Sequence, residues 1–274
     1  KRYTKKMYET IAEDSFTIYR FLVKNSDRNV NYVLSCNTTK ECVIIDPLDK
    51  DVIEEIIKQY SLKPKYIFNT HAHPDHIKYN DFFISKYKCP LLAHIDCKEL
   101  FEFKFENVFE NDVIKVGNLN LKVLHTPGHC HEHISLIFDR YFFCGDLIFN
   151  LGVGNVNFRG DVSMLFRTIT HKIKNLPDEL LLLPGHDYLQ NNITFLQSLY
   201  KDSSEIGSVL DGLLSSYDSN QLSPLFDIGF EKRNNPFLRI DEFSFIDFLE
   251  KKDLFKDEKM EFRFKLLRQL RDEH

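Results

Sequence analysis

The chain has 274 residues, 43% hydrophobic and 28% charged, with a formal net charge of −5. That length suits one large domain, or a medium domain with a smaller one. The mild negative balance makes no electrostatic case for a nucleic acid or an anionic membrane as partner, and no apolar run approaches the roughly 18–20 residues that span a bilayer.

In chain order, Phe16 to Lys24 and Asn31 to Cys36 read as strands, and Glu41 to Asp46 as a buried strand ending at Pro47. Asp51 to Tyr60 places Val52, Ile53, Ile56 and Ile57 at helical spacing, and Lys65 to Asn69 is a short apolar strand running into a His-rich segment. A helix over Asn80 to Tyr87, a strand at Leu91 to His94, a short helix and a strand at Leu119 to Leu124 follow. His133 to Phe138 and Tyr141 to Cys144 read as a hairpin turning at Asp139-Arg140. Ser163 to Asn175 is an amphipathic helix and Leu180 to Leu183 a buried strand. From about Asn191 the strand signals stop, and Ile193 to Tyr200, Glu205 to Tyr217, Glu242 to Lys251 and Lys256 to Arg271 read as helices. The order predicts a layered α/β domain over residues 1–190 and a helical domain over 191–274. The six cysteines form no C-x-x-C pair and read as buried free thiols of a reducing compartment. The chain starts at Lys1-Arg2 rather than Met, which reads as a processed or trimmed start. The expected location is the cytoplasm, or an organelle matrix after removal of a targeting segment.

The strongest local signal is His71-Ala72-His73-Pro74-Asp75-His76. In an extended segment His71 and His73 share a side, and the turn that Pro74 favours redirects Asp75 and His76. Imidazole and carboxylate suit zinc, iron or manganese. Three further segments end predicted strands in a ligand type: Thr126-Pro127-Gly128-His129, Phe142 to Asp146, and Pro184-Gly185-His186. Each alone is weak, since a strand-end Asp is commonly a helix cap and a lone His a structural group. Together they point to a metal site. His94, His125, His131, His133 and His171 read as structural. No G-x-S-x-G elbow competes with the metal route.

The set HxHxDH, TPGH, FxGD and PGH, in this order, resembles the metallo-β-lactamase superfamily over about residues 16 to 190. The resemblance implies an αββα sandwich with two metals. His71, His73 and His129 would hold the first, Asp75, His76 and His186 the second, and Asp146 would bridge both. Within the superfamily the chain is similar to glyoxalase II, the hydroxyacylglutathione hydrolase family. That likeness rests on Asn31-Tyr32 with the IIDP strand end, on Gly185-His186-Asp187-Tyr188 followed by Asn191-Asn192, and on Asn235-Pro236-Phe237-Leu238-Arg239. Two segments depart from that family: Ile77-Lys78-Tyr79-Asn80 stands where it has Gly-Gly, and Gly152-Val153-Gly154-Asn155-Val156-Asn157-Phe158 is closer to a loop of persulfide dioxygenases.

The resemblance implies hydrolysis of S-D-lactoylglutathione to D-lactate and glutathione, with two divalent ions, zinc first and iron or manganese compatible. A shared water ionised toward a pKa of ~7 would attack the thioester, with Asp75 orienting it and Asp146 balancing charge. Tyr188 resembles the family's ligand-contacting Tyr. Arg268 and Arg271 share a face of the last predicted helix and align with basic residues that contact glutathione; a solvated cationic helix end is the other reading. Asn155 and Asn157 sit in the altered loop and are candidates to replace a missing grip. The expected partner is the glutathione thioester, with no nucleic acid or membrane, in a monomer or homodimer. The alternatives are a mononuclear iron persulfide dioxygenase or another thioesterase of the fold, and a non-enzymatic scaffold that kept it.

Overall fold

The computed structural model describes residues 7–199, 204–242 and 259–274. It divides into two compact units. The first takes the chain to His125, together with Glu132–Asp139 and Phe143–Gly145. The second comprises Thr126–His131, Arg140–Phe142 and everything from Asp146 onward.

The first unit is built on a seven-stranded sheet in sequential order: β1 (Glu9–Ala12), β2 (Phe16–Leu22), β3 (Val30–Cys36), β4 (Glu41–Ile45), β5 (Lys63–Phe68), β6 (Leu91–Ala93) and β7 (Glu106–Asn107). The first four strands pair antiparallel and the last four parallel. The parallel part follows from α1 (Lys50–Tyr60) and α3 (Asn80–Tyr87), which return the chain between strands. Asp49 caps α1, accepting from the Asp51 and Val52 N–H groups at 3.2 Å, and Ser61 ends it in the left-handed conformation. The face carrying Val52, Ile53, Ile56 and Ile57 packs into the cluster of Phe21, Ile44, Ile67 and Phe83, each such side chain stabilising by about 1.5–3 kcal/mol. Strand β5 starts two residues before the sequence expectation and includes Pro64. The β4–β5 register shifts between Cys42 and Val43, opposite that proline, where a ladder N–H is missing.

A second, antiparallel set in the same unit runs β8 (Val113–Val116), β9 (Leu119–His125), β10 (Ile134–Phe138). It faces the first sheet through Phe16 on Phe138 and Tyr32 on Phe143, ring centroids 4.8 and 5.5 Å apart. The last strand of this part, β11 (Tyr141–Gly145), is divided between the two units. Strands β1 and β8 were not expected from the sequence. The residues of β1 are exposed or half-buried and lack alternation, so only pairing with β2 makes them a strand.

His94 stacks on His125, centroids 4.3 Å apart, and its Nδ1 accepts from the Asp96 N–H at 3.4 Å, which requires a neutral ring. Burial, with His125 beside it, holds the His94 imidazole below its usual value against the Asp96 and Glu132 carboxylates. A histidine with a depressed folded pKa contributes stability above its unfolded value of ~6.5 that is lost as pH falls through the folded one. Acidification from about pH 7.5 to about pH 5 should therefore lower Tm more in the wild type than in His94→Asn, which keeps a capping acceptor but does not titrate. Parallel Tm–pH curves would remove His94 from the acid response.

In the second unit β12 (Ile148–Phe149) and β13 (Gly152–Val153) form a short hairpin, and β14 (Leu181–Pro184) lies beside Arg140, whose carbonyl accepts from the Leu181 N–H at 2.8 Å. Its helices are α4 (Val162–His171), α5 (Leu189–Leu199), α6 (Ser204–Ser216), α7 (Ile228–Asn234) and α8 (Met260–Asp272). The helix expected at Glu242 to Lys251 lies, beyond Glu242, outside the described residues, as do positions 256–258 of the last one. Helix α7 was not expected. All six cysteines are buried free thiols. Among the described residues no helix is long and apolar enough to cross a membrane.

Candidate metal centre

Four of the expected ligands belong to the first unit. Strand β5 ends at Phe68, and Asn69-Thr70 lead into His71 to His73, the last of them in extended backbone. Pro74 then opens the single-turn helix α2 (Pro74–Ile77), whose first turn carries Asp75 and His76. The turn brings the rings together: His71 lies 4.5 Å from His73 and 4.1 Å from His76 between centroids. His71 Nε2 is 3.0 Å from His73 Nδ1, and His76 Nε2 is 3.5 Å from Asp75 Oδ2. Asn29 donates to that same Asp75 oxygen at 2.8 Å.

Behind these ligands stands Asp46, a residue not singled out from the sequence. Its Oδ1 accepts from the Thr70 N–H at 2.8 Å, and its Oδ2 accepts from Thr70 Oγ1 at 2.7 Å and from His76 Nδ1 at 2.9 Å. Thr70 gives its only hydroxyl proton to Asp46, so at His71 Nδ1, 2.9 Å away, it acts as acceptor. Both histidines are thus Nδ1–H tautomers with the lone pair on Nε2, set directly or through Thr70 by one buried carboxylate. Asp46 lies near enough to His71 and His76 to be counted a ligand itself, but its oxygens are taken up by these donors. The sequence clue was a buried strand ending in Asp.

The second unit holds His129, Asp146 and His186. His129 donates from Nδ1 to the Asn155 carbonyl at 2.7 Å and directs Nε2 to within 3.6 Å of Asp146 Oδ2; His186 Nε2 lies 3.1 Å from the same oxygen. Asp146 follows Gly145, whose left-handed backbone (φ 49°) leaves no room for a side chain: a Cβ would sit 2.7 Å from His133 Nε2 and 2.8 Å from Thr70. Tyr188 stacks on His186, centroids 4.8 Å apart at 10°, and Phe149 meets both rings edge-on.

Each of these groups of ligands suits a cation. A neutral His129 has its one proton on Nδ1, engaged by a carbonyl, so its Nε2 lone pair faces a carboxylate oxygen; a neutral His76, whose Nδ1–H is given to Asp46, repeats that arrangement with Asp75. Lone pairs aimed at lone pairs repel unless a positive charge lies between them.

The remaining candidates are placed differently. Asn155 acts through its carbonyl on His129, while its side chain accepts from the Asn157 N–H at 3.1 Å in a local turn. Arg271 donates to Asn192 at 3.1 Å. Arg268 is 5% exposed and donates to the carbonyl of Val153 and to Asp272. The solvated helix end considered from the sequence does not describe Arg268.

Compared with known proteins, residues 26–186 match the model of the metallo-beta-lactamase superfamily and residues 187–274 that of the hydroxyacylglutathione hydrolase C-terminus. A hydroxyacylglutathione hydrolase from Nitrosococcus oceani is 36% identical over 79% of this chain and 83% of its own length. One from Polaromonas sp. is 34% identical over 81% and 86%. Among solved structures, that of ETHE1 from Myxococcus xanthus shares the fold at a TM-score of 0.61 and 22% identity, covering 95% of this chain and 97% of that one. The expected α/β architecture, an αββα sandwich followed by a helical region, is that of these matches, and divalent metal binding accords with the ligand groups. The chain belongs to the hydroxyacylglutathione hydrolase family of the metallo-β-lactamase superfamily.

Proposed function

We propose that the chain hydrolyses S-D-lactoylglutathione to D-lactate and glutathione at a two-cation site. His71, His73 and His129 would hold one cation and Asp75, His76 and His186 the other, with Asp146 as the carboxylate shared between them. The observation that carries this reading is that His71, His76 and His129 are each anchored through Nδ1, which turns Nε2 toward another candidate ligand. Bound there, divalent cations supply a water of pKa ~7 and polarise the thioester carbonyl. Zinc is the first choice, with iron or manganese compatible with the donors. Asp75, steadied by Asn29, orients the attacking water. The water oxygen joins the acyl carbon as the carbon–sulfur bond breaks. The thiolate of a thiol with pKa ~8.5 leaves without a dedicated general acid. Tyr188, stacked on His186, lines the approach of the thioester, and Arg271 and the Asn155–Asn157 loop are candidates for its glutathione part.

Steady-state hydrolysis should depend on metal. Chelation is expected to reduce kcat by at least about a hundredfold, with recovery on zinc addition. Oxygen consumption by a one-iron protein that leaves the thioester intact would overturn the assignment in favour of the dioxygenase alternative.

A further inference from the structure

One backbone segment of the second unit is gripped at five consecutive residues by side chains from the C-terminal helices. The Asn150 carbonyl accepts from Asn192 Nδ2 at 2.8 Å, and the Leu151 N–H donates to both oxygens of Glu231 at 3.1 and 3.0 Å. The Gly152 carbonyl accepts from Asn235 Nδ2 at 3.1 Å, and those of Val153 and Gly154 from Arg268 Nη1 at 2.7 and 3.5 Å. The four gripping residues are 0–5% exposed. Two of them are tied together, Asn235 donating to Glu231 at 2.8 Å, and Asn192 accepts from Arg271 at 3.1 Å. The Arg268 guanidinium lies over the Phe237 ring. Leu151 is held at φ 63°, a left-handed conformation that a Leu keeps only where its surroundings impose it.

What this segment supports gives the grip its consequence. Gly154 packs against the Asp146 carbonyl so closely that a Cβ would lie 1.9 Å from that oxygen and 3.1 Å from His129 Nδ1. The next residue, Asn155, supplies the carbonyl that accepts the His129 proton. We propose that Asn192, Glu231, Asn235 and Arg268 are positioning residues: the C-terminal helices clasp residues 150–154 and thereby hold His129 and Asp146 in ligating geometry. This rests on the reading of those two residues as metal ligands. It assigns Arg268 to a backbone loop rather than to a substrate carboxylate. It also gives the Asn235-Pro236-Phe237 motif a task, since Asn235 bonds the loop while its Oδ1 accepts from the Phe237 N–H at 3.1 Å. Glu231 fits the same role. Burial raises its carboxyl to about 8 against the hydrogen bonds from Asn235 and Leu151, so an apolar residue would pack there at less cost if packing were all that mattered.

The test uses the full-length, metal-loaded protein with Arg268→Met, which keeps the stem but not the donors, Glu231→Leu, and Glu231→Gln, which keeps an acceptor for the Leu151 N–H. In Arg268→Met and Glu231→Leu, amide exchange across residues 151–155 should rise by about tenfold or more. Metal affinity should fall at least about tenfold, and kcat should drop while KM stays within about twofold. Glu231→Gln should recover most of the protection and the metal. If Glu231→Leu does not fold, Arg268→Met and Asn235→Ala carry the same readouts. Unaltered exchange with full metal retention, or a rise in KM alone, overturns the clasp. Exchange and metal affinity are read without substrate. A wild type inactive on S-D-lactoylglutathione would therefore end the functional reading and leave this one standing.

Discussion

Asp146→Asn should lose about a thousandfold in kcat, and with it most of the bound metal. The argument is electrostatic. Asp146 is 6% exposed, and its Oδ2 has His186 Nε2 at 3.1 Å and His129 Nε2 at 3.6 Å. A neutral His129 has no proton left for that oxygen, because its Nδ1–H is engaged by Asn155. Under the proposed function a cation occupies the gap and the carboxylate offsets part of its charge. An amide of the same shape keeps the packing and removes that charge in a low-dielectric setting, where it is worth several kcal/mol. About 4 kcal/mol corresponds to the stated thousandfold, at 1.36 kcal/mol per tenfold. Metal per chain and kcat measured together decide it. A fully loaded Asp146→Asn protein turning over at the wild-type rate would end the bridging role.

The second large effect is expected at Asp46, a residue that need touch neither metal nor substrate. Asp46→Asn suits the backbone, since φ 49° is a conformation that Asn tolerates. One of its two acceptor oxygens becomes an NH₂ facing donors, so the Thr70 N–H, Thr70 Oγ1 and His76 Nδ1 cannot all be satisfied. A buried donor left without an acceptor costs about 1–3 kcal/mol. The freed rings of His71 and His76 can turn or change tautomer, which should weaken metal affinity by about 10–100-fold. Titration with zinc under a competing chelator, beside a thermal melt, separates the two consequences. Wild-type zinc affinity in a destabilised Asp46→Asn would make Asp46 a fold residue only.

Elements with strong local periodicity were legible along the chain. The α3 helix occupies the residues expected of it, and β2, β4 and α1 fall within two residues of their expected ends. Elements that exist only through a partner were not. Strand β8 is four residues long and becomes a strand by pairing with β9, and α7 starts at a capping Asp227 followed by few apolar residues.

At the site, residue types and spacing alone singled out the ligand motifs, because a metal demands several imidazoles and carboxylates and their clustering along a chain is rare. Orientation was a different matter. Whether a histidine presents Nε2 or Nδ1 depends on what accepts from its other nitrogen. For His76 that group lies 30 residues away, and for His129 it is a backbone carbonyl 26 residues on. Arg268 shows the same limit: nothing in the sequence of its helix signals its contacts with carbonyls 114 and 115 residues earlier. Sequence by itself determined the family, the fold class and the chemistry of the donors, since these follow from composition and order. Only the tertiary structure decided tautomers, second partners and loop support, because hydrogen bonds are directional and short-ranged and join groups the chain does not bring together.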